Sequence, residues 1–204
     1  YGYEDGTGEP PAGYYYRGPG CEEGKGPKPW RELGDTGIGV LELYSIRPGE
    51  AADDAPTVKQ ALNFALDHAA NPKEWIFESY RAGLEGYDNW IAALADGRAS
   101  DMGTRYNTGV WLECRKYAVG FLEEARARLA GRAGYLLAEA QNHYRIVAEA
   151  LGRVAELYPW SWEASDEAVL PVDDKSRAAV EALQAARAAE AAGLEALARI
   201  VQAL

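Results

Sequence analysis

Tyr106-Asn107-Thr108-Gly109-Val110-Trp111-Leu112-Glu113-Cys114-Arg115-Lys116-Tyr117 reads as the first turns of a long central helix. At about 100° per residue, Val110, Trp111, Cys114, Tyr117, Ala118, Phe121, Leu122 and Ala125 fall in one arc. Asn107 lies in the middle of that arc, and an amide there must find partners. The pattern predicts a helix over 104–129, with polar groups set into an apolar stripe that faces other helices.

The chain on the N-terminal side of this helix changes character at about residue 50. Residues 1–50 hold most of the glycines and prolines, with aromatic clusters between them. Tyr14, Tyr15 and Tyr16 suit a short strand, and 38–46 alternates Ile38, Val40, Glu42, Tyr44 and Ile46 on one side. A small antiparallel β segment is expected there. From Ala55 the period becomes helical: Thr57 and Gln60 have capping-box spacing, and Val58, Ala61, Leu62, Ala65, Leu66 and Ala69 form a stripe. Asn71-Pro72 with Glu74 predicts a second helix, whose face carries Ile76, Tyr80, Gly83, Tyr87, Trp90, Ile91 and Leu94, up to a cap at Gly97. Gly83 and Gly86 either split that helix or let another backbone approach it closely.

Beyond the central helix, 134–158 buries Leu136, Leu137, Ala140, Tyr144, Val147, Leu151, Val154 and Ala155, and Pro159 stops it. An aromatic loop at 160–172 covers the bundle's end. A last, alanine-rich helix at 173–204 carries Val180, Leu183, Leu194, Leu197 and Val201 in its stripe. Arg187 and Glu190 interrupt that stripe three residues apart, the spacing of a helical ion pair. The fold expected is mainly α: a five- to six-helix bundle over 51–204, preceded by the small β-rich segment over 1–50.

Composition narrows the functional classes. The chain has 204 residues, 48% hydrophobic and 26% charged, enough for a folded domain with a core plus a small appendage. Thirty-two acidic against twenty-one basic residues give a net charge of -11, which repels nucleic-acid phosphates and anionic lipid heads. No apolar run approaches the roughly 20 residues needed to span a bilayer, and no signal peptide is read. Two cysteines in unlike contexts indicate neither a disulfide framework nor a zinc site, so a reducing cytoplasm is expected. Tyr1-Gly2-Tyr3-Glu4-Asp5-Gly6 reads as a strand ending in a turn, as though the chain began inside a larger fold.

No complete catalytic, metal or phosphate motif is present. Gly18-Pro19-Gly20-Cys21-Glu22-Glu23-Gly24-Lys25-Gly26 lacks Walker spacing, and Pro27 and Pro29 exclude the helix that would hold a phosphate. Cys21 has no histidine placed near it as a base, and Cys114 reads as a small buried hydrophobe. Glu113, Glu139, His143 and Glu190 do not repeat the Glu-x-x-His spacing of di-iron bundles, so no metal and no cofactor is assigned. What remains is a polar network of Asn107, Glu113, Arg115, His143, Tyr144, Arg187 and Glu190 between three helices. It either fixes helix register or forms a ligand pocket, with an arginine for a carboxylate and Tyr87, Trp90 and Trp111 as walls.

Several phrases resemble the C-terminal half of a family of uncharacterised bacterial proteins related to butirosin biosynthesis protein H. They are Gly2-Tyr3-Glu4-Asp5-Gly6, Leu43-Tyr44-Ser45-Ile46-Arg47-Pro48-Gly49, Gly86-Tyr87-Asp88-Asn89-Trp90-Ile91, Tyr106-Asn107, Trp111-x-Glu113-Cys114-Arg115, and Glu190. The N-terminal half of that family resembles a C39-type, papain-like cysteine peptidase. The resemblance implies an accessory helical domain that packs on a papain-like module and lacks activity by itself, the module's nucleophile not matching Cys21. The alternatives are a small-ligand-binding bundle and a dimerisation bundle resting on the alanine-rich last helix.

Overall fold

The computed structural model describes residues 13–14, 28–29, 49–50, 52–129 and 131–204. The chain divides into two compact units, Tyr1–Glu50 and Ala51–Leu204. In the first, β1 (Gly13–Tyr14) pairs antiparallel with β2 (Lys28–Pro29). The β segment is described only at these residues; Tyr15, Tyr16, the alternating stretch 38–46 and the glycine-rich loop around Cys21 lie outside the described residues.

The second unit is mainly helical: α1 (Asp54–Ala70), α2 (Gly83–Ala95), α3 (Asp101–Arg128), α4 (Arg132–Leu157) and α5 (Asp174–Ala203). α1 begins earlier than its capping-box spacing implies. Asp53 is the N-cap without a side-chain bond, and the Thr57 hydroxyl donates to the Asp53 carbonyl at 2.9 Å instead of capping. Pro56 sits in the first turn, where no helical N–H is required.

The second expected helix is broken. Pro72–Glu74 makes a 3-10 turn, and α2 starts only at Gly83, whose φ of +59° is the left-handed conformation that glycine adopts without strain. The Arg81 guanidinium donates to the carbonyls of Glu78 and Tyr80 in the intervening stretch, supplying partners that a helix would have provided. Gly86 admits the returning backbone, since a Cβ there would lie 3.2 Å from the Arg81 carbonyl oxygen. Gly97, with φ +64°, ends α2 as its position predicted.

Ser100 then caps α3 by accepting the Gly103 N–H at 2.9 Å. The buried face of α3 is rotated from the expected arc. Thr104, Thr108, Leu122 and Ala125 are buried, whereas Val110, Cys114, Tyr117 and Phe121 are exposed. The Thr108 hydroxyl satisfies itself on the Thr104 carbonyl at 2.6 Å, which lets a polar side chain be buried there. The packed face therefore overlaps the most apolar arc only in part, at Leu122 and Ala125 with Trp111 and Ala118 half-buried.

α4 buries the face predicted for it, with Leu137, Val147, Leu151 and Val154 at 0% exposure. The loop after it seals the bundle's end with Leu170, whose N–H donates to the Ala99 carbonyl at 2.9 Å, while Trp160 and Trp162 stay exposed. Asp173 and Ser176 form a reciprocal capping box that starts α5.

α4 packs against both α3 and α5, and α1 and α2 run end to end along α5. α5 is thus the most enclosed helix, and its alanines at 179, 182, 186, 189 and 196 face inward. They serve packing within the helical unit. Between α1 or α2 and α3 close contacts are few, which leaves an open seam. The core has two apolar clusters. One joins Tyr87 and Leu94 of α2 to Leu151 and Leu183; the other joins Val58 and Leu62 of α1 to Leu137, Leu197 and Ile200. Among the described residues no helix is long and apolar enough to cross a membrane.

Candidate functional site

A polar layer separates the two apolar clusters at the level where α1 gives way to α2. Its centre is a bidentate ion pair from α3 to α5: Arg115 Nε to Glu190 Oε2 at 2.6 Å and Nη2 to Oε1 at 2.9 Å. Glu190 is 4% exposed, and the Arg115 side chain 18%. The guanidinium lies over the Trp111 ring at 5.0 Å and near the Tyr144 ring at 5.8 Å, so aromatic faces replace part of its lost hydration. Tyr144 itself lies flat on α5 where Gly193 leaves room, a Cβ at that position falling 3.1 Å from the ring.

Burial works against the charge on Arg115, but the charge and hydrogen bonds of Glu190 outweigh it and hold the guanidinium above its ordinary pKa. Burial, reinforced by the Glu190 charge, also pushes the Tyr87 and Tyr144 phenols up. Among the described residues the Tyr87 hydroxyl has no hydrogen-bond partner, and neither have His68 Nε2 and Trp90 Nε1. Buried orphan polar atoms are uncommon, and three around one seam mark it out.

The two phenols give a pH dependence with a definite sign. Each keeps in the fold a proton that the unfolded chain releases near pH 10, so stability is full below about pH 10 and declines as the pH rises above it. Urea midpoints should fall over that alkaline range, and Tyr87→Phe with Tyr144→Phe should flatten the fall. A midpoint curve unaltered by the double substitution would contradict the assignment.

Two cavities occupy the seam. One, of about 440 Å³, lies between α1, α3 and α5 and is lined by Leu62, Phe64, His68, Leu122 and Leu197, with Arg115, Tyr144 and Glu190 also on its wall. His68 stacks on Trp75 at 3.9 Å between ring centroids, with Phe64 at 4.4 Å. The other, of about 330 Å³, lies between α2 and α3; Trp111 and Gly83 line both.

Of the residues singled out in the sequence, Trp111, Arg115, Tyr144 and Glu190 meet in this layer. Asn107 is exposed and lines the α2-side cavity. Glu113 is exposed and His143 half-buried, and neither lines a seam cavity. Arg187 does not pair with Glu190. It turns to Asp88 of α2, with bonds of 2.5 and 2.9 Å, and its hydrogen bonds hold the Asp88 carboxyl below its usual range. Glu139 pairs with Arg199 at 2.7 Å and Glu190 with Arg115, so two of the four residues considered as metal ligands are engaged with different arginines, and no metal-binding group of three occurs among the described residues. His68 and Trp75 were not singled out; the Phe64 and His68 spacing of one helical turn was the available sign. No family model, curated protein or solved structure matches the chain.

Proposed function

We propose that the helical unit binds a small, largely apolar molecule in the α1-side cavity and holds it by a hydrogen bond from Arg115. The carrying observation is that Arg115 uses Nε and Nη2 on Glu190, while Nη1 donates to no described protein group and the residue lines the cavity. With its charge already balanced by Glu190, the guanidinium suits a carbonyl oxygen better than a free carboxylate. A volume of about 440 Å³ falls within the roughly 300–1,000 Å³ of small-molecule sites, and mostly apolar walls with a few placed polar groups are their usual make-up.

Decanamide, an aliphatic chain with one carbonyl, is a suitable probe by calorimetry. Saturable heat is expected from the native chain and none from Ala118→Trp, which fills the cavity from a half-buried position on its wall. Equal binding by both proteins would overturn the reading and leave Arg115 and Glu190 as a register device.

The second reading is the accessory domain of a papain-like thiol acyltransferase or peptidase-like protein. The division of Tyr1–Glu50 from the helical unit supports it, since the first unit would then belong to the papain-like part. Under it the cavity shapes the substrate pocket of a nucleophile held elsewhere, and this chain alone turns over no substrate.

A further inference from the structure

α3 passes both cavities, so its residues mark distance along the seam. Thr104 and Asn107 line the α2 side, Trp111 lines both, and Arg115, Ala118 and Leu122 line the α1 side. At about 1.5 Å per residue, Asn107 to Leu122 spans roughly 22 Å. The chemistry changes in order along that length. The α1 side is apolar, and its one carboxylate among the described lining residues, Glu190, is already bound to Arg115.

The α2 side is different. Arg81 and Arg98 line it together with Asn89, Ser100 and Asn107, and no Asp or Glu is among its described lining residues, in a chain whose net charge is -11. The orphan Trp90 Nε1 lies in the same wall and is a donor only. Arg81 donates through Nη1 to the carbonyls of Glu78 and Tyr80, and no carboxylate among the described residues pairs with it. Arg98 meets Asp96 at 2.9 Å with both side chains more than half exposed, a pair weak enough for an incoming anion to displace.

We infer that the seam takes one elongated amphipathic anion: an aliphatic tail between α1 and α3, a carbonyl-bearing link at Arg115, and an anionic head among Arg81, Arg98 and Asn107. The inference rests on the proposed reading of the α1-side cavity and adds the head site to it. Trp111 and Tyr87, whose rings meet edge to face at 6.0 Å, form the waist past which the ligand runs.

N-decanoylglycine carries all three parts, and decanamide lacks only the head. In calorimetry N-decanoylglycine should bind at least about tenfold more tightly, as a charge-assisted contact to arginine requires. Arg81→Gln with Arg98→Gln should bring it down to the affinity of decanamide and leave decanamide unchanged. Both arginines are exposed, and the bonds of Arg81 to the Glu78 and Tyr80 carbonyls lie where water can replace them, so the double variant should keep its circular dichroism and melting temperature. Equal affinity for the two probes, or a preference that survives the double variant, overturns the head site. If decanamide still binds and Ala118→Trp still abolishes it, the α1-side reading stands; if neither probe binds the native chain, both fail.

Discussion

Glu190→Ala lowers the stability of the helical unit by about 3–5 kcal/mol, the range for breaking a buried ion pair from one side. Glu190 is 4% exposed and accepts both hydrogen bonds that Arg115 donates among the described residues. Removing it leaves a guanidinium between two apolar clusters with aromatic faces as its remaining company. Arg115→Met added to Glu190→Leu should recover most of the loss, because two apolar side chains of similar volume join the clusters that the pair divides. Urea unfolding of Glu190→Ala and of the double variant measures this. A single-variant loss below about 1 kcal/mol, the range of an exposed pair, would mean that water reaches the layer freely.

Leu151→Ala should cost about 2–5 kcal/mol, toward the upper end of that range. Leu151 is 0% exposed and belongs to the cluster that contains Ala179, Ala182 and Ala186 of α5. The cost of such a truncation depends on how far neighbours relax into the void, and alanines have no χ1 with which to do so. Thermal or urea unfolding checks it. A loss near 1 kcal/mol would show that α5 moves bodily toward α4, which a crystal structure of the variant would reveal.

The helices were legible because their apolar spacing repeats over several turns. α4 is the clearest case, since Leu137, Tyr144, Val147, Leu151 and Val154 are both the periodic residues and the buried ones. α3 misled because periodicity ranks residues by apolarity, while the packed face uses Thr104 and Thr108, whose hydroxyls are satisfied locally or can be. The break before α2 was written in Gly83 and Gly86, but sequence could not decide between a split and a close approach. The chain uses Gly83 for the first and Gly86 for the second.

Half of the candidate site was legible for a similar reason. Arg115, Tyr144 and Glu190 stood out as polar or amphipathic groups within apolar stripes, and such groups need partners. Which partners they take depends on helix rotation and on pairs 75 residues apart, as Arg115 and Glu190 are. Arg187 was assigned to its near neighbour on α5 and takes Asp88, 99 residues away, because α2 crosses that face of α5. The α2-side cavity was legible in part, since Tyr87, Trp90 and Trp111, the walls expected of a ligand pocket, line it; the α1-side cavity and the extent of both were not. Both cavities arise from helices that fail to meet.

The interruption between α1 and α2 also bears on how quickly a ligand of the kind proposed would enter and leave the seam. α1 is held on α5 through one end of the core, around Val58, Leu62 and Leu197, and the cluster beneath α2 does not include it. Release of α1 is then a sub-global opening that leaves the α2 half in place, with a free energy set by one helix. Residence times in the α1-side cavity would follow that local equilibrium: stabilising α1 lengthens them, and strengthening the far core leaves them unchanged.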